Sequence, residues 1–197
     1  MYRYIKEMQM KMREFHIIKK VCFTVFTLLI LGSTFSFAAE PSREYQVKAG
    51  FLYKFLLFAE WPEETTAESG DTVVIGIIGK DSFGNAFAPV EGEIIDGKKL
   101  TVRRFKENVS STALEECHIL FISSSLKKKT GKILKTVNEY PIITVSEVKG
   151  FTQSGGMINF VIKGKRVGFE INMTAAESAG IKFRSKLLRV AQQIVVN

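Results

Sequence analysis

The chain has few of the residues from which proteins build disulfides, metal centres and nucleophilic active sites. Only two of its 197 residues are cysteine and two are histidine. Cys22 and His16 precede residue 38, so the rest of the chain holds one cysteine, Cys117, and one histidine, His118. A single cysteine cannot form a disulfide within one chain, and a single histidine is too few for most zinc sites. These absences exclude a disulfide scaffold and make a metal centre improbable.

Cys117 and His118 also fail as a catalytic pair. They open the apolar run C-H-I-L-F-I, which is typical of a buried strand, and neighbouring strand residues point to opposite faces. We expect Cys117 to be a small buried side chain, with an intermolecular bridge as the alternative, and His118 to be an ordinary strand residue. No acidic cluster has the spacing of metal ligands. The sequence therefore predicts no catalytic residues, no metal and no cofactor, and thus no enzyme.

One glycine-rich segment comes close to a phosphate-binding loop. Residues 92–99 read G-E-I-I-D-G-K-K, but position 99 lacks the hydroxyl that would hold magnesium, and Glu93 and Asp96 would repel phosphates. We predict that Asp96 and Gly97 form a turn before a strand.

The first 38 residues have the features of an export signal. Six cationic side chains precede an uncharged apolar run at 21–37, and Ser36 and Ala38 supply small residues at a cleavage site. We predict cleavage after Ala38 and a periplasmic domain of residues 39–197. A retained anchor is the alternative, because a run of about 18 residues is close to the length that spans a bilayer. Cleavage leaves 22 cationic and 18 acidic residues, so the net charge falls from +8 to +4.

Apolar runs separated by helix-length segments indicate an α/β domain. The runs at 73–78, 119–122 and 142–145 are almost wholly apolar, as strands buried on both faces are, whereas 100–105 alternates. Segments long enough for helices lie between these runs, at residues 82–88, 111–116 and 126–139. Such an alternation is typical of a three-layer sandwich around a mostly parallel sheet.

Both ends of the domain depart from this alternation. A first helix is predicted to begin after Ser42 and to end at Trp61 and Pro62. Near the other end, runs at 157–163 and 166–172 are separated by Gly164 and Lys165, which favours a type II′ hairpin. A long helix beginning at Thr174 is predicted to close the chain, with Gly180 as a candidate break. The predicted fold is an α/β three-layer sandwich extended by a C-terminal antiparallel hairpin, with helices on both faces.

Several sequence blocks, taken in order, resemble the YfiR-like family. The blocks are K-A-G-F-L-Y-K-F-L-L-F-A-E-W-P (48–62), C-H-I-L-F-I-S (117–123), G-G-M-I-N-F-V (155–161), R-V-G-F-E-I-N (166–172), A-A-E-S-A-G (175–180) and S-K-L-L-R (185–189). The resemblance implies a homodimeric periplasmic protein that represses a membrane-bound diguanylate cyclase or similar enzyme by binding its periplasmic sensor region. Two departures are Lys54, where the family usually has asparagine, and the small number of cysteines.

Two groups of residues are candidates for binding. The aromatic residues of the first block, with Lys54 among them, could form a partner surface, although a core role competes: Phe51, Tyr53, Phe55, Phe58 and Trp61. A ligand crevice is expected beyond the carboxyl ends of the parallel strands, near residues 79–81, Ser123, Ser124 and residues 146–147, where the serines could instead cap a helix. A further polar row combines residues of the hairpin and the last helix: Arg166, Glu170, Asn172, Arg184 and Lys186. Three residues of this row match the family blocks, namely Glu170, Asn172 and Lys186. Arg189, which lies outside the row, also matches them.

A lysine cluster at residues 127–135 admits three interpretations. Five lysines in this segment could contact nucleic acid, an anionic membrane or only water. Export would remove the chain from nucleic acid, and no aromatic residue is interleaved for base stacking. We therefore predict no nucleic-acid partner. Two hypotheses for the whole protein remain: a non-enzymatic periplasmic regulator that acts by protein contact, and a receptor for a periplasmic small molecule that binds in the crevice.

Overall fold

The computed structural model describes residues 19–20, 41–62 and 70–196. The chain divides into two compact units, residues 1–38 and 39–197, and the fold below is that of the second. The predicted export signal lies almost entirely outside the described residues, so its cleavage stays a prediction. Across these described ranges, no helix has the length and apolar character needed to span a bilayer.

Helices and strands alternate over most of the domain. In the described part they follow in the order α1 (Arg43–Phe58), β1 (Ala59–Glu60), β2 (Thr72–Ile78), β3 (Ile94–Ile95), β4 (Lys98–Phe105), α2 (Ser111–Glu115), β5 (Ile119–Ile122), a 3₁₀ helix (Ser124–Lys129), α3 (Thr130–Val137), β6 (Ile143–Ser146), a 3₁₀ turn (Thr152–Ser154), β7 (Ile158–Lys163), β8 (Arg166–Asn172), α4 (Met173–Ser178), β9 (Lys182–Phe183), α5 (Ser185–Leu188) and β10 (Gln193–Val195).

An eight-stranded mixed sheet forms the centre of the domain, with the strand order β10-β8-β7-β6-β5-β2-β4-β3. The five inner strands from β4 to β7 are parallel to one another, and the short edge strand β3 is antiparallel to β4. Strand β8 returns antiparallel to β7, and Gly164 in the connecting turn has a φ of 63°, as the first position of a type II′ turn requires. The predicted α/β fold with a mostly parallel sheet and a C-terminal hairpin is confirmed.

Each face of the sheet carries its own hydrophobic core. On one face, Leu52 and Phe55 of α1 pack with alternate residues of β2, Ile75 and Ile77. On the other face, α3 packs against the residues of β2 that point the opposite way, such as Val74. Because both faces are covered, β2 and β5 consist of apolar residues almost without interruption. Strand β4, beside the edge strand β3, alternates as predicted.

The predicted element boundaries were wrong at three places. Residues 82–83 are irregular and residues 84–88 form turns instead of a helix, and the Asp81 carboxylate accepts a hydrogen bond of 2.7 Å from the Phe83 amide. Helix α1 ends at Phe58 because Ala59 pairs with Phe183 in a two-stranded ribbon.

The long C-terminal helix was also predicted wrongly. Gly180 adopts a φ of 70°, a left-handed conformation that ends helices. The chain beyond it contributes β9, the short helix α5 and the edge strand β10. Helix α4 begins after Asn172, whose side chain accepts a hydrogen bond of 3.1 Å from the Ala175 amide, so Asn172 is the cap that was predicted to be Thr174.

Candidate functional site

A cleft of about 930 Å³ opens at the carboxyl ends of β5 and β6. The first turns of α1 form one wall, and the hairpin strands β7 and β8 form another. Its lining residues are Glu44, Tyr45, Lys48, Ser124, Glu147, Lys149, Gly150, Gln153, Asn159, Phe160, Val161, Ile162 and Glu170. The position agrees with the rule that open α/β sheets form crevices where their parallel strands end.

Glu147 is the centre of a polar network inside this cleft. It directly follows β6, which brings its carboxylate to the sheet edge below the start of α1. The Tyr45 hydroxyl donates to the carboxylate at 3.0 Å, and the Ser124 hydroxyl donates to the same oxygen at 2.7 Å. Lys48 donates from its ammonium to the other oxygen at 2.5 Å. Three donors from two other parts of the chain therefore converge on one carboxylate.

Lys48 is a buried cation, with only 1% of its surface exposed. Its ammonium binds the carboxylates of Glu147 and of Glu44, one helical turn earlier on α1. The same ammonium lies 4.5 Å from the centre of the Tyr45 ring and 5.9 Å from that of Phe160. A charge this deeply buried persists only where carboxylates and hydrogen bonds compensate for its lost hydration.

The pKa values of Glu147 and Lys48 are both shifted from their ordinary values. Burial by itself would raise the pKa of Glu147, but the hydrogen bonds from Lys48, Ser124 and Tyr45 and the charge of Lys48 bring that pKa below its ordinary value. Burial would lower the pKa of Lys48, but Glu147 and Glu44 raise it above its ordinary value. The pair is therefore fully ionised at neutral pH, and Lys48 is a protonated cation instead of a free amine nucleophile.

The ion pair predicts a particular pH dependence of stability. Because the pKa of Glu147 is lower in the folded than in the unfolded chain, its contribution is present above the ordinary carboxyl value of 4.5 and is lost as the pH falls through the folded pKa. Because the pKa of Lys48 is raised, its contribution is full below 10.5 and is lost as the pH rises through its folded pKa. We expect Glu147→Gln to reduce the free energy of unfolding most near neutral pH, with the difference from wild type shrinking below pH 4.5. Urea titrations across this range measure it, and a difference that is constant with pH would contradict the assignment.

The predicted crevice residues divide between this cleft and the local fold. Ser124 binds Glu147, whereas Ser123 is buried and accepts the Ser125 amide, so it caps the following 3₁₀ helix. Glu170 lines the cleft and accepts a hydrogen bond of 3.3 Å from Thr152. Asn172 is buried, and besides capping α4 it donates to the Thr152 carbonyl at 2.9 Å.

The polar row predicted from the hairpin and the last helix is split in the structure. Arg184 binds Glu60 at 3.0 Å, and the Lys186 ammonium lies 5.5 Å from the Phe58 ring centre. These cations thus lie at the C-terminal end of α1, whereas Glu170 contacts Thr152 in the cleft. Arg166 and Arg189 are exposed.

The aromatic residues of α1 range from core to surface. Phe55 is fully buried, and the partly buried Phe51 packs on it with ring centres 6.2 Å apart. Tyr53, Phe58 and Trp61 are half-buried against the same core, and Lys54 is exposed. Whether the last four residues bind a partner stays a prediction.

Cys117 and His118 directly precede β5 instead of belonging to it. They lie on opposite sides of the sheet: Cys117 belongs to the core on the α3 side, whereas His118 contacts Trp61. Burial raises the pKa of the Cys117 thiol to about 12, and its sulfur lies where a side chain on Gly76 would be, 2.6 Å from an ideal Cβ. Burial lowers the pKa of His118 to about 4, with a further contribution from Lys98. His118 packs edge-on to Trp61 and accepts the Val74 amide at 3.3 Å. A neutral thiol and a neutral imidazole held apart by the sheet form no nucleophile–base pair.

The residues at the centre of the cleft were missed as a site from the sequence. Lys48 opens the first family block and Glu147 follows an apolar run. This pattern predicts for Glu147 only a place at the crevice edge, and it predicts no role in the cleft for Lys48. The sequence signal that could have identified Lys48 is a lysine followed by a strongly apolar helix.

Among the described residues, no group of three or more histidine, cysteine, aspartate or glutamate side chains could hold a metal ion.

Two solved structures are similar to this chain. A crystal structure of a conserved domain protein from Vibrio cholerae O1 biovar eltor matches with a TM-score of 0.50 at 13% identity, covering 79% of this chain and 61% of that one. An ABC domain in complex with L-Trp from Streptococcus pneumonia matches with a TM-score of 0.45 at 15% identity, covering 62% of this chain and 55% of that one. The chain thus spans less than two thirds of either structure, and at these identities the first likeness concerns the fold alone.

A search of curated proteins finds no match. The family profile described as YfiR/HmsC-like matches residues 45–192. This range includes α1 from Tyr45 onward, strands β2 to β8 of the central sheet and every lining residue of the cleft except Glu44. The chain therefore belongs to the YfiR/HmsC-like family, a family of periplasmic regulatory proteins in cyclic-di-GMP signalling.

Proposed function

We propose that this protein represses a membrane-bound diguanylate cyclase, or a similar signalling enzyme, by binding the periplasmic sensor region of that enzyme. The observation that carries the proposal is the family match over residues 45–192. The predicted export signal supports it, because a repressor of this kind must reach the periplasm. The neutral, separated Cys117 and His118 also support a role by contact instead of by covalent chemistry.

The proposed contact surface is the outer side of α1 and the segment after it. Tyr53, Phe58 and Trp61 are each partly exposed, and Lys54 on the same helix is exposed. Aromatic side chains with part of their surface available contribute much of the binding energy at protein interfaces. Arg184 and Lys186 border the same end of α1 through Glu60 and Phe58, so the surface combines aromatic and cationic groups. The family resemblance adds the proposal that the protein acts as a homodimer.

Affinity capture with a surface variant tests this proposal. The tagged protein is expected to retain, from a membrane extract, an inner-membrane protein that carries a diguanylate cyclase domain. Lys54→Glu is expected to weaken that capture and to change the free energy of unfolding by less than about 0.5 kcal/mol, because Lys54 is exposed. Lys163→Glu, an equal change of charge at an exposed lysine of the hairpin, is the matched control. Failure to capture any protein with a signalling output, or equal capture by both variants, would count against the surface.

The cleft around Glu147 favours a second candidate function, a receptor for a periplasmic small molecule. A cleft of about 930 Å³ is within the range that accommodates drug-sized ligands, and its buried charges and partly apolar walls suit a small polar molecule. The two functions are compatible, since ligand binding could regulate repression. Thermal-shift screening of the purified protein against amino acids, vitamins and nucleotides tests this candidate. A stabilisation that Glu147→Gln abolishes would support it, and a uniformly flat screen would speak against it.

A further inference from the structure

The net charge of the domain is concentrated in one segment. Residues 39–197 carry 22 cationic and 18 acidic side chains, but residues 117–138 contain five lysines and no acidic residue. Without this segment the domain would have 17 cationic and 18 acidic residues. The entire excess of positive charge in the domain therefore comes from the lysine segment, which we define as Lys127, Lys128, Lys129, Lys132 and Lys135.

The fold directs these lysines away from the protein. The 3₁₀ helix and α3 bury one side against the sheet, with the residues Leu126, Thr130, Leu134 and Val137. The opposite side of both helices therefore faces solvent. All five lysines of the segment are exposed. Lys128, Lys132 and Lys135 recur at the spacing of one helix face, so they form a row along the solvent side.

Within the part of the chain that the structure describes, most of this charge has no acidic partner. Lys129 binds Glu107, whereas the other four lysines form no ion pair among the described residues. Like charges at helical spacing repel one another and destabilise a helix slightly. A row of this kind thus has a cost to folding that nearby carboxylates do not offset.

We propose that the lysine segment binds the anionic phospholipid headgroups of a membrane surface. Lysines clustered on an exposed helix attract anionic lipids and act additively over a distance of about one Debye length. The segment offers no exposed aromatic residue that could insert between acyl chains or stack on bases, so the contact is electrostatic and reversible by salt. The lysine segment lies on the face of the sheet opposite α1. Lipid binding there leaves the proposed enzyme-contact surface available. Docking on the lipid would hold the protein beside a membrane-bound partner and raise the local concentration of the repressor.

This inference adds a lipid contact to the proposed function without depending on it, because vesicle binding is measured with no enzyme present. The protein is purified as the expressing cell delivers it, and its N-terminus is established by mass, so that a retained apolar segment is recognised. Co-sedimentation is measured with vesicles of pure phosphatidylcholine and with vesicles containing phosphatidylglycerol. We expect binding to the phosphatidylglycerol vesicles alone, and loss of that binding as the salt concentration rises from 0.1 M to 1 M and the Debye length falls from about 10 Å to about 3 Å.

Two variants of equal net charge separate the segment from total charge. Replacement of the four unpaired lysines Lys127, Lys128, Lys132 and Lys135 by glutamine is expected to weaken vesicle binding by about a hundredfold or more, since each lysine near an anionic surface contributes about fivefold. The control replaces four exposed lysines elsewhere, namely Lys99, Lys163, Lys165 and Lys182, and is expected to bind within about tenfold of wild type. Circular dichroism verifies that both variants are folded. Equal loss in the two variants, wild-type binding without a preference for anionic lipid, or tighter binding to a single-stranded oligonucleotide than to vesicles would overturn the proposal.

Discussion

Replacing Lys48 by methionine is expected to destabilise the domain by about 3–5 kcal/mol, because the change leaves Glu147 as an uncompensated buried carboxylate. The Glu147 side chain is only 13% exposed. The two donors that remain, the hydroxyls of Tyr45 and Ser124, are neutral and do not balance its charge. Methionine is close to lysine in volume, so lost packing contributes little. For a domain of this size the loss corresponds to a fall in melting temperature of roughly 6–20 °C.

A double variant distinguishes the ion pair from the packing around it. Lys48→Met combined with Glu147→Gln removes both charges, and we expect it to recover most of the stability that Lys48→Met loses. The coupling energy from the complete double-mutant cycle measures the pair itself. A cost below about 1 kcal/mol for Lys48→Met, or a double variant no more stable than the single one, would contradict the role assigned to the network.

Phe55→Ala is expected to cost about 3–5 kcal/mol, since it removes a ring from the centre of the larger core. Phe55 is 0% exposed, and its ring centre lies 5.0 Å from that of Phe169 and 6.0 Å from that of Phe160. The cavity left behind would border α1 and both strands of the hairpin. Chemical denaturation of the purified variant measures the loss.

Leu57→Ala is the matched control for Phe55→Ala. It truncates a large apolar side chain on the same helix, but Leu57 is 37% exposed and points away from the sheet. We expect this control to change stability by less than about 1 kcal/mol. Similar losses for the two variants would show that α1 is not packed as described, and would reopen the question of which aromatic residues of the first block are available to a partner.

The central sheet was predictable because its signals are local. The apolar run from Val73 to Ile78 occurs where a strand buried on both faces was expected, and Gly164 marks the hairpin turn by its preference for positive φ. The C-terminal segment was not predictable in this way. Ala175, Ala179, Phe183 and Leu187 recur at helical spacing, but the pairing of Phe183 with Ala59 and of β10 with β8 overrides that pattern. Such pairings join distant parts of the chain and leave no periodic trace in the sequence.

The candidate site was predictable in position but not in composition. Ser124 and Glu147 lie at the expected edge because parallel strands place their carboxyl ends together. Lys48 was missed, because a lysine at the start of an amphipathic helix is usually solvated, and its contact with Glu147, 99 residues away, leaves no trace in the local sequence. The lysine segment was recognised from the sequence, but the structure was needed to find that four of its lysines lack acidic partners among the described residues.

The measurement that tests the central claim most directly is the cyclic-di-GMP level in a strain that lacks this gene. The strain is complemented either with the complete chain or with residues 39–197 expressed without the predicted export signal. A periplasmic repressor predicts that deletion raises cyclic-di-GMP, that the complete chain restores the wild-type level, and that the unexported domain does not. An unchanged level in the deletion strain, or full restoration by the unexported domain, would contradict the account.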